Sequence, residues 1–154
     1  MKITKTLLIF LFLTSILSCN KFPDLGGDYK LDYNSRGDVG LLNSDNSYIV
    51  YGHILECNFN STYIILTERP RDSIPECTSI STEITAKKCN AAFNSSTFKQ
   101  YWIINKKEKN DYYFDTISNT ARYSNVYGPF NKDVYLQKRK ELGVPDELRL
   151  KELK

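Results

Sequence analysis

The sequence has little of the chemistry on which most enzymes depend. It contains one methionine, one tryptophan and a single histidine, His53, in 154 residues. No GxSxG, phosphate-loop or GxGxxG pattern occurs, and no CxxC or HxxxH spacing offers a set of zinc ligands. His53 is expected to be a partly buried strand residue. We therefore predict no catalytic residue, no metal site, no cofactor and no enzymatic activity.

Long hydrophobic runs are missing except at the N-terminus, MKITKTLLIFLFLTSILSCN. Lys2 and Lys5 precede an apolar stretch of about a dozen residues, whereas a membrane-spanning helix needs about 20. This arrangement is typical of a signal peptide. Its end, Ile16-Leu17-Ser18-Cys19, resembles the lipobox of bacterial lipoprotein precursors. That resemblance implies that the Cys19 thiol is acylated and that cleavage occurs just before it.

The lipobox sets the expected organisation and location of the chain. Residues 1–18 are predicted to be the signal peptide, 19–27 a lipidated tether, and 28–154 a single β-rich globular domain. Two or three acyl chains, palmitate among them, hold a protein stably on a membrane. In enterobacteria an aspartate after the acylated cysteine commonly retains a lipoprotein at the inner membrane, whereas here Asn20 follows Cys19. If the cell has two membranes, we therefore expect the protein on the outer membrane, facing the periplasm or the cell surface. Otherwise we expect the outer face of the cell membrane.

A strong excess of one charge is also missing. The chain carries 21 basic and 18 acidic residues. Removal of residues 1–18 takes away Lys2 and Lys5 and no acid, which leaves 19 basic against 18 acidic residues, a formal charge of +1. No basic stripe remains that would give the electrostatic footprint of a nucleic-acid-binding protein. The sequence therefore predicts no nucleic-acid partner.

Short apolar runs between turn residues predict a mainly β domain of the α+β class. The runs over 48–57 and 62–67 are apolar on both faces, as is typical of central strands covered on both sides. Asn131 as a cap and Gly143 before Pro145 delimit a C-terminal helix, and a last turn or helix is expected over 146–153. We predict an antiparallel meander of about six to seven strands packed by this helix. The expected strands are 29–33, 39–42, 48–57, 62–67, 99–105, 111–115 and 124–127.

Residues 70–98 interrupt this pattern and are interpreted as a polar insertion, with a helix within 79–92. Cys57 lies in an apolar run and is predicted to be a buried thiol, which leaves Cys77 and Cys89 as the pair for a disulfide in an oxidising envelope. A continuous helix would separate these two cysteines by about 18 Å, whereas a disulfide requires Cα atoms within about 7 Å. A complete helix and the bridge therefore exclude each other, and we favour the bridge.

Two segments carry a resemblance to a known family. They are Tyr101–Lys107, YWIINKK, and Val126–Phe130, VYGPF, which precedes a lysine-rich helix. The chain resembles a family of small bacterial lipoproteins classed only as a domain of unknown function, with a lipobox, a YWII(D/N)KK-like strand and a YGP turn before a C-terminal helix. The resemblance covers most of 28–144. It implies a fold and a compartment, and no activity or site residue.

These observations favour a non-catalytic binding or scaffolding module of the cell envelope, anchored to the membrane by its lipid. A first alternative is an inhibitor or immunity-type lipoprotein that neutralises an envelope-attacking enzyme, with the insertion plugging a cleft. A second alternative is an enzyme of unrecognised type. The membrane is the expected partner, an envelope protein is a candidate partner, and no oligomeric state is predicted.

Overall fold

The computed structural model describes residues 22–78, 82–116 and 120–153. Within these ranges the chain forms nine strands in three antiparallel sheets together with two α-helices, with 35% strand against 21% helix. The predicted mainly β class is confirmed. The strands are β1 Lys30–Tyr33, β2 Val39–Leu42, β3 Tyr48–Val50, β4 His53–Phe59, β5 Tyr63–Arg69, β6 Gln100–Asn105, β7 Tyr112–Asp115, β8 Thr120–Tyr123 and β9 Val126–Phe130; the helices are α1 Glu83–Ser95 and α2 Lys132–Glu141.

A four-stranded sheet in the order β4-β5-β6-β9 forms the centre of the domain. Successive side chains of a strand point to opposite faces, so Ile64 and Leu66 of β5 face one core while Ile65 faces another. The first core lies against the sheet β1-β2-β3, and the second lies under α2. The prediction of a central strand over 62–67 is confirmed, because β5 has neighbours on both sides and is covered on both faces. The run over 48–57 was expected to be central as well, but its second half, β4, lies at the edge of this sheet.

The predicted strand over 48–57 is wrong, because the chain breaks at Tyr51-Gly52 into β3 and β4, which belong to different sheets. The amide nitrogen of Gly52 donates a hydrogen bond to the Glu68 carboxylate at 2.9 Å. A Cβ atom at position 52 would lie 2.1 Å from that oxygen, so this approach requires glycine. The strand over 120–123 was not predicted, and the strand expected over 124–127 begins at Val126 and continues through Pro129 to Phe130.

The C-terminal helix is confirmed. The side chain of Asn131 accepts a hydrogen bond from the Val134 amide at 2.9 Å, and Gly143 follows the helix with a φ of +68°. After a turn at 146–147, the chain runs along the edge of β4 through backbone hydrogen bonds of Cys57 to Lys151 and of Leu153 to Leu55. This segment covers a strand edge that would otherwise be open. None of the helices within the described ranges is long and apolar enough to cross a membrane.

The predicted disulfide between Cys77 and Cys89 is present, with a Cα–Cα distance of 4.7 Å. The bridge and a helix coexist because α1 begins only at Glu83, after Thr82 caps it through the Thr85 amide. Although the insertion over 70–98 is polar in composition, Ile74, Cys89 and Phe93 are buried in it. The insertion is therefore fastened to the rest of the domain at several buried points.

The N-terminal predictions fall mostly outside this structure. The signal peptide over 1–18, the lipid-bearing Cys19 and residues 20 and 21 of the tether lie outside the described residues. In the remainder of the tether, Leu25 is fully buried in the first core and Phe22 packs against that core. The folded domain thus includes Leu25.

The cysteines give a first testable prediction. The oxidised protein should expose one thiol, Cys57, only on unfolding, because that side chain is buried and burial raises its pKa to about 12. Opening the bridge frees a loop of twelve residues and should lower the free energy of unfolding by about 3 kcal/mol in the chain-entropy treatment. Urea titrations with and without reductant measure this loss, and thiol labelling counts the cysteines. Labelling of Cys57 in the folded protein would contradict its burial.

Candidate functional site

A groove of about 720 Å³ opens on the surface of the described residues. One face of the central sheet carries Ile64 and Leu66 and packs on the first core. The groove lies on the same face, beyond that core. Glu68 and Trp102 follow on that same face, since Leu66 pairs with Trp102 and Glu68 with Gln100. The β7–β8 hairpin and the first sheet supply the two walls. Five aromatic side chains line the groove: Tyr48, Tyr51, Trp102, Tyr112 and Tyr123.

Glu68 is the acidic residue at the inner side of this groove and is only 4% exposed. One carboxylate oxygen accepts a hydrogen bond from the indole nitrogen of Trp102 at 2.8 Å, and the other accepts the Gly52 amide at 2.9 Å. No cation of the described ranges forms an ion pair with it. Burial raises the pKa of Glu68 to about 7, against the opposing effect of its two hydrogen bonds, and the negative charge of Asp72 raises it further.

Trp102 is held in place from two directions. Its indole nitrogen is engaged by Glu68, and its ring packs against Gly128 of β9, where a Cβ atom would lie 2.6 Å from the ring. Gly128 also has a φ of +142°, a conformation that favours glycine. The groove therefore contains a tryptophan whose orientation is fixed by the fold.

A second cluster of charges closes one end of the groove. The guanidinium of Arg71 binds both oxygens of Asp38, at 2.6 and 3.0 Å, and stacks 3.9 Å from the centre of the Phe93 ring. Asp38 is 5% exposed. The bidentate pair joins the insertion to the first sheet, and each of the two charges is compensated by the other. It is a structural element of the groove wall rather than a free binding group.

His53 adjoins this cluster. Its Nδ1 atom lies 3.3 Å from the Val39 amide nitrogen, which donates to it, and 3.5 Å from Asp38. Burial lowers the pKa of His53; the negative charge of Asp38 opposes this shift, and the positive charges of Arg69 and Arg71 add to it. The prediction of a partly buried strand histidine is confirmed. No group of three or more histidine, cysteine or acidic side chains able to hold a metal ion occurs among the residues described.

The β7–β8 hairpin forms the outer wall. Tyr112 of β7 contacts Tyr123 of β8 edge to face, with ring centres 5.6 Å apart, and both line the groove. Arg122 fastens the hairpin to β9 by donating to the Gly128 carbonyl at 3.0 Å, and it forms an ion pair with Asp115 at 3.1 Å. Tyr112, Tyr113 and Phe114 are each about half exposed or more. The hairpin thus presents aromatic surface next to the groove.

Comparison of the sequence with known protein families shows to which family the chain belongs. The model of the family described as "Protein of unknown function (DUF3997)" matches residues 26–154. The chain belongs to that family. The predicted resemblance to an uncharacterised family is confirmed to that extent, and the match begins after the lipobox and spans the groove. No curated protein and no solved structure matches the chain.

Few of the site residues were singled out from the sequence. Cys77 and Cys89 form the predicted bridge and lie in the insertion, near the Asp38–Arg71 pair rather than among the aromatic residues. The sequence analysis predicts no site role for Asp38, Glu68 or Trp102. One signal was available for Glu68: it takes the position of an apolar residue on the buried face that alternation assigns to Ile64 and Leu66.

The pKa of Glu68 gives a second prediction. A carboxyl whose pKa is raised from 4.5 to about 7 on folding binds its proton more tightly in the folded state. The contribution of Glu68 to stability should then be complete below pH 4.5 and be lost as the pH rises through 7, by about 2–3 kcal/mol between pH 5 and 8. Urea unfolding of the wild type and of Glu68→Gln across this range measures the effect. The lowered pKa of His53 acts in the opposite direction and cancels between the two proteins, so equal pH profiles would contradict the prediction.

Proposed function

We propose that this protein is a lipid-anchored binding protein of the cell envelope, attached through Cys19, which holds its ligand in the groove. The observation that carries the proposal is the groove itself. Its volume is in the range of small-molecule sites, and it combines aromatic walls with a few fixed polar groups. The lipobox at Ile16–Cys19 supports the anchor.

Binding without catalysis fits the arrangement of charges better than acid–base chemistry does. Glu68 has a pKa near neutrality, as a general acid or base requires. Such chemistry needs a second active group, and the charged side chains at the end of the groove, Asp38 and Arg71, neutralise each other in a bidentate pair. The exposed Asp72 has no bound partner to orient it in the ranges described. Glu68 is thus best placed to recognise a ligand.

The test compares four forms of the lipoprotein, each purified from its own envelope. Ala121 is exposed and lines the groove, so Ala121→Trp should fill it without disturbing a core. Leu136→Trp, at a 45% exposed position on α2, is the matched control. Native mass spectrometry should show a bound ligand with the wild type and Leu136→Trp, and none with Ala121→Trp. Cys19→Ser should accumulate as an unacylated precursor, whereas the wild type should carry acyl chains on Cys19.

Two results would overturn this proposal. A ligand retained by Ala121→Trp would place binding elsewhere on the molecule. A wild-type protein that begins at another residue and carries no acyl chain would remove the anchor. Fractionation of the membranes adds a check, because we expect the acylated protein in the outer membrane of a cell that has two.

A second candidate function is inhibition of an envelope-attacking enzyme by the insertion. It is favoured by the disulfide, which ties the turn at Pro75–Cys77 to α1, while Ile84 of that helix is 68% exposed. A segment held in one conformation loses little entropy when it enters a cleft. Ile84→Glu should then abolish protection against the enzyme while leaving the groove ligand in place. If Ala121→Trp loses protection while Ile84→Glu keeps it, the inhibitory surface is the groove and not the insertion.

A further inference from the structure

We propose that the groove recognises a cationic nitrogen group of its ligand, an alkyl ammonium or a guanidinium, which pairs with Glu68 between the aromatic walls. This inference rests on the proposed function, because it names the chemical class of ligand for the same groove.

Glu68 has unused binding capacity. A carboxylate offers about four lone-pair sites, and here each oxygen accepts one hydrogen bond, from Trp102 or from Gly52. Both donors are neutral, so the charge of the ionised form is not compensated by any cation of the residues described. A buried charge without a partner is unfavourable. A ligand cation would supply both the missing charge and donors for the remaining lone pairs.

The other charges of the groove favour a cation over an anion. Arg71 is committed to Asp38, and Arg122 to Asp115 and to the Gly128 carbonyl. An anionic group placed beside Glu68 would therefore meet a carboxylate and not an available guanidinium. Among the described residues that line the groove, Arg36, which is exposed, adds a further positive charge. Close to Glu68 the groove is thus suited to positive charge.

The aromatic side chains support the same class of ligand. An ammonium or guanidinium within about 6 Å of the face of a tryptophan or tyrosine is attracted by the ring quadrupole. Trp102 is fixed in orientation next to Glu68. Tyr48 and Tyr51 contact each other edge to face 5.2 Å apart, and the Tyr48 hydroxyl donates to the Tyr33 carbonyl at 2.8 Å. The rings are therefore held in place before a ligand arrives.

Protonation of Glu68 provides a readout that a neutral ligand would not share. Burial raises the pKa of Glu68 to about 7, so a cation must compete with a proton below neutrality. The hydrogen bonds from Trp102 and Gly52 lower this pKa, and the negative charge of Asp72 raises it. The other charged or titratable side chains that line the groove are Arg36, Asp38, Tyr48, Tyr51, Arg71, Tyr112, Arg122 and Tyr123.

The test uses the full lipidated protein in detergent and pairs of probes that differ only in charge. Butylguanidinium is compared with its neutral isostere butylurea by calorimetry at pH 8. A second pair places the same groups in blocked peptides, acetyl-Gly-Arg-Gly-amide and its citrulline counterpart. We expect the cation of a pair to bind at least about tenfold more tightly than the neutral probe, and its affinity to fall at least about tenfold from pH 8 to 5.5.

Three variants locate the effect. Glu68→Gln should remove the preference for the cation. Asp72→Asn alters an exposed carboxylate of the same groove and should keep the preference. Ala121→Trp should abolish binding of all probes. If only the peptide pair shows a preference for the cation, the natural ligand is a cationic side chain of a protein. If only butylguanidinium is preferred over butylurea, the natural ligand is a small molecule.

Equal binding of charged and neutral probes by the wild type, or no binding of either cation at pH 8, would overturn the inference. The same holds if the cation binds equally well at pH 5.5 and 8, a measurement that needs no variant to fold. None of these results touches the proposed function, which fails if Ala121→Trp keeps the ligand that co-purifies from the envelope or if the wild type carries no acyl chain.

Discussion

Replacing Ile103 by alanine should lower the free energy of unfolding by about 2–5 kcal/mol. Ile103 is fully buried in β6, in the core that β5 and β6 share with α2. Truncating such a side chain loses its transfer free energy and leaves a cavity that rigid neighbours cannot fill. Those neighbours are firmly placed, since Ile65 lies on the adjacent central strand and Tyr135 is 2% exposed on α2.

Urea unfolding of the oxidised protein measures this loss. Val134→Ala is the matched control because Val134 lies on α2 but is 43% exposed, and it should change the free energy of unfolding by less than about 0.5 kcal/mol. Ile64→Ala repeats the experiment in the opposite core, where Ile64 is also fully buried. A cost below about 1 kcal/mol for both isoleucines would mean that the central strands do not carry the core.

Local signals account for what the sequence predicted correctly. The continuous apolar runs around Ile64 and Ile103 identify the central strands, and the cap at Asn131 with the stop at Gly143 identifies α2. The bridge between Cys77 and Cys89 followed from elimination among three cysteines. Each of these signals lies within about a dozen residues, so it can be seen before the chain is folded.

The break between β3 and β4 could not be predicted in the same way. The run from Tyr48 to Cys57 carries apolar residues on both sides of Gly52, and nothing local distinguishes this residue from a glycine within a strand. The break depends on Glu68, 16 positions further along, whose carboxylate occupies the space next to Gly52. The missed strand β8 has a similar origin, because it is stable only as the partner of β7.

The groove was missed because it is assembled from distant parts of the chain. Its lining comes from the first sheet, the ends of β5 and β6, the insertion, the hairpin and β9. No short motif joins these segments. A carboxylate on the buried face of an apolar strand is the one signal that sequence reasoning could have used, and it would have pointed to Glu68.

The ion pair of Arg71 with Asp38 holds the insertion to the first sheet. Arg71→Ala should lower the free energy of unfolding by about 3–5 kcal/mol, because it leaves Asp38 as a buried charge without its partner. The side chains of Arg71 and Asp38 are only 17% and 7% exposed, so water compensates little of the loss. Removal of Arg71 also ends its stacking on Phe93 and its hydrogen bond to Asn90. Replacing all of 70–98 by a linker should cost at least as much, since Arg71 is lost with it.

A double-mutant cycle separates the pair from these other contacts. Asp38→Ala combined with Arg71→Ala should cost less than the sum of the two single changes, because the double variant leaves neither charge unpaired. Arg71→Lys should fall between the wild type and Arg71→Ala, since it keeps the charge but cannot bind both oxygens of Asp38 as the guanidinium does. Strictly additive costs would show that the two side chains act independently. The insertion would then be held to the rest of the domain by Phe93, which contacts His53 and accepts a hydrogen bond from Arg69, and its position beside the groove would no longer depend on Asp38.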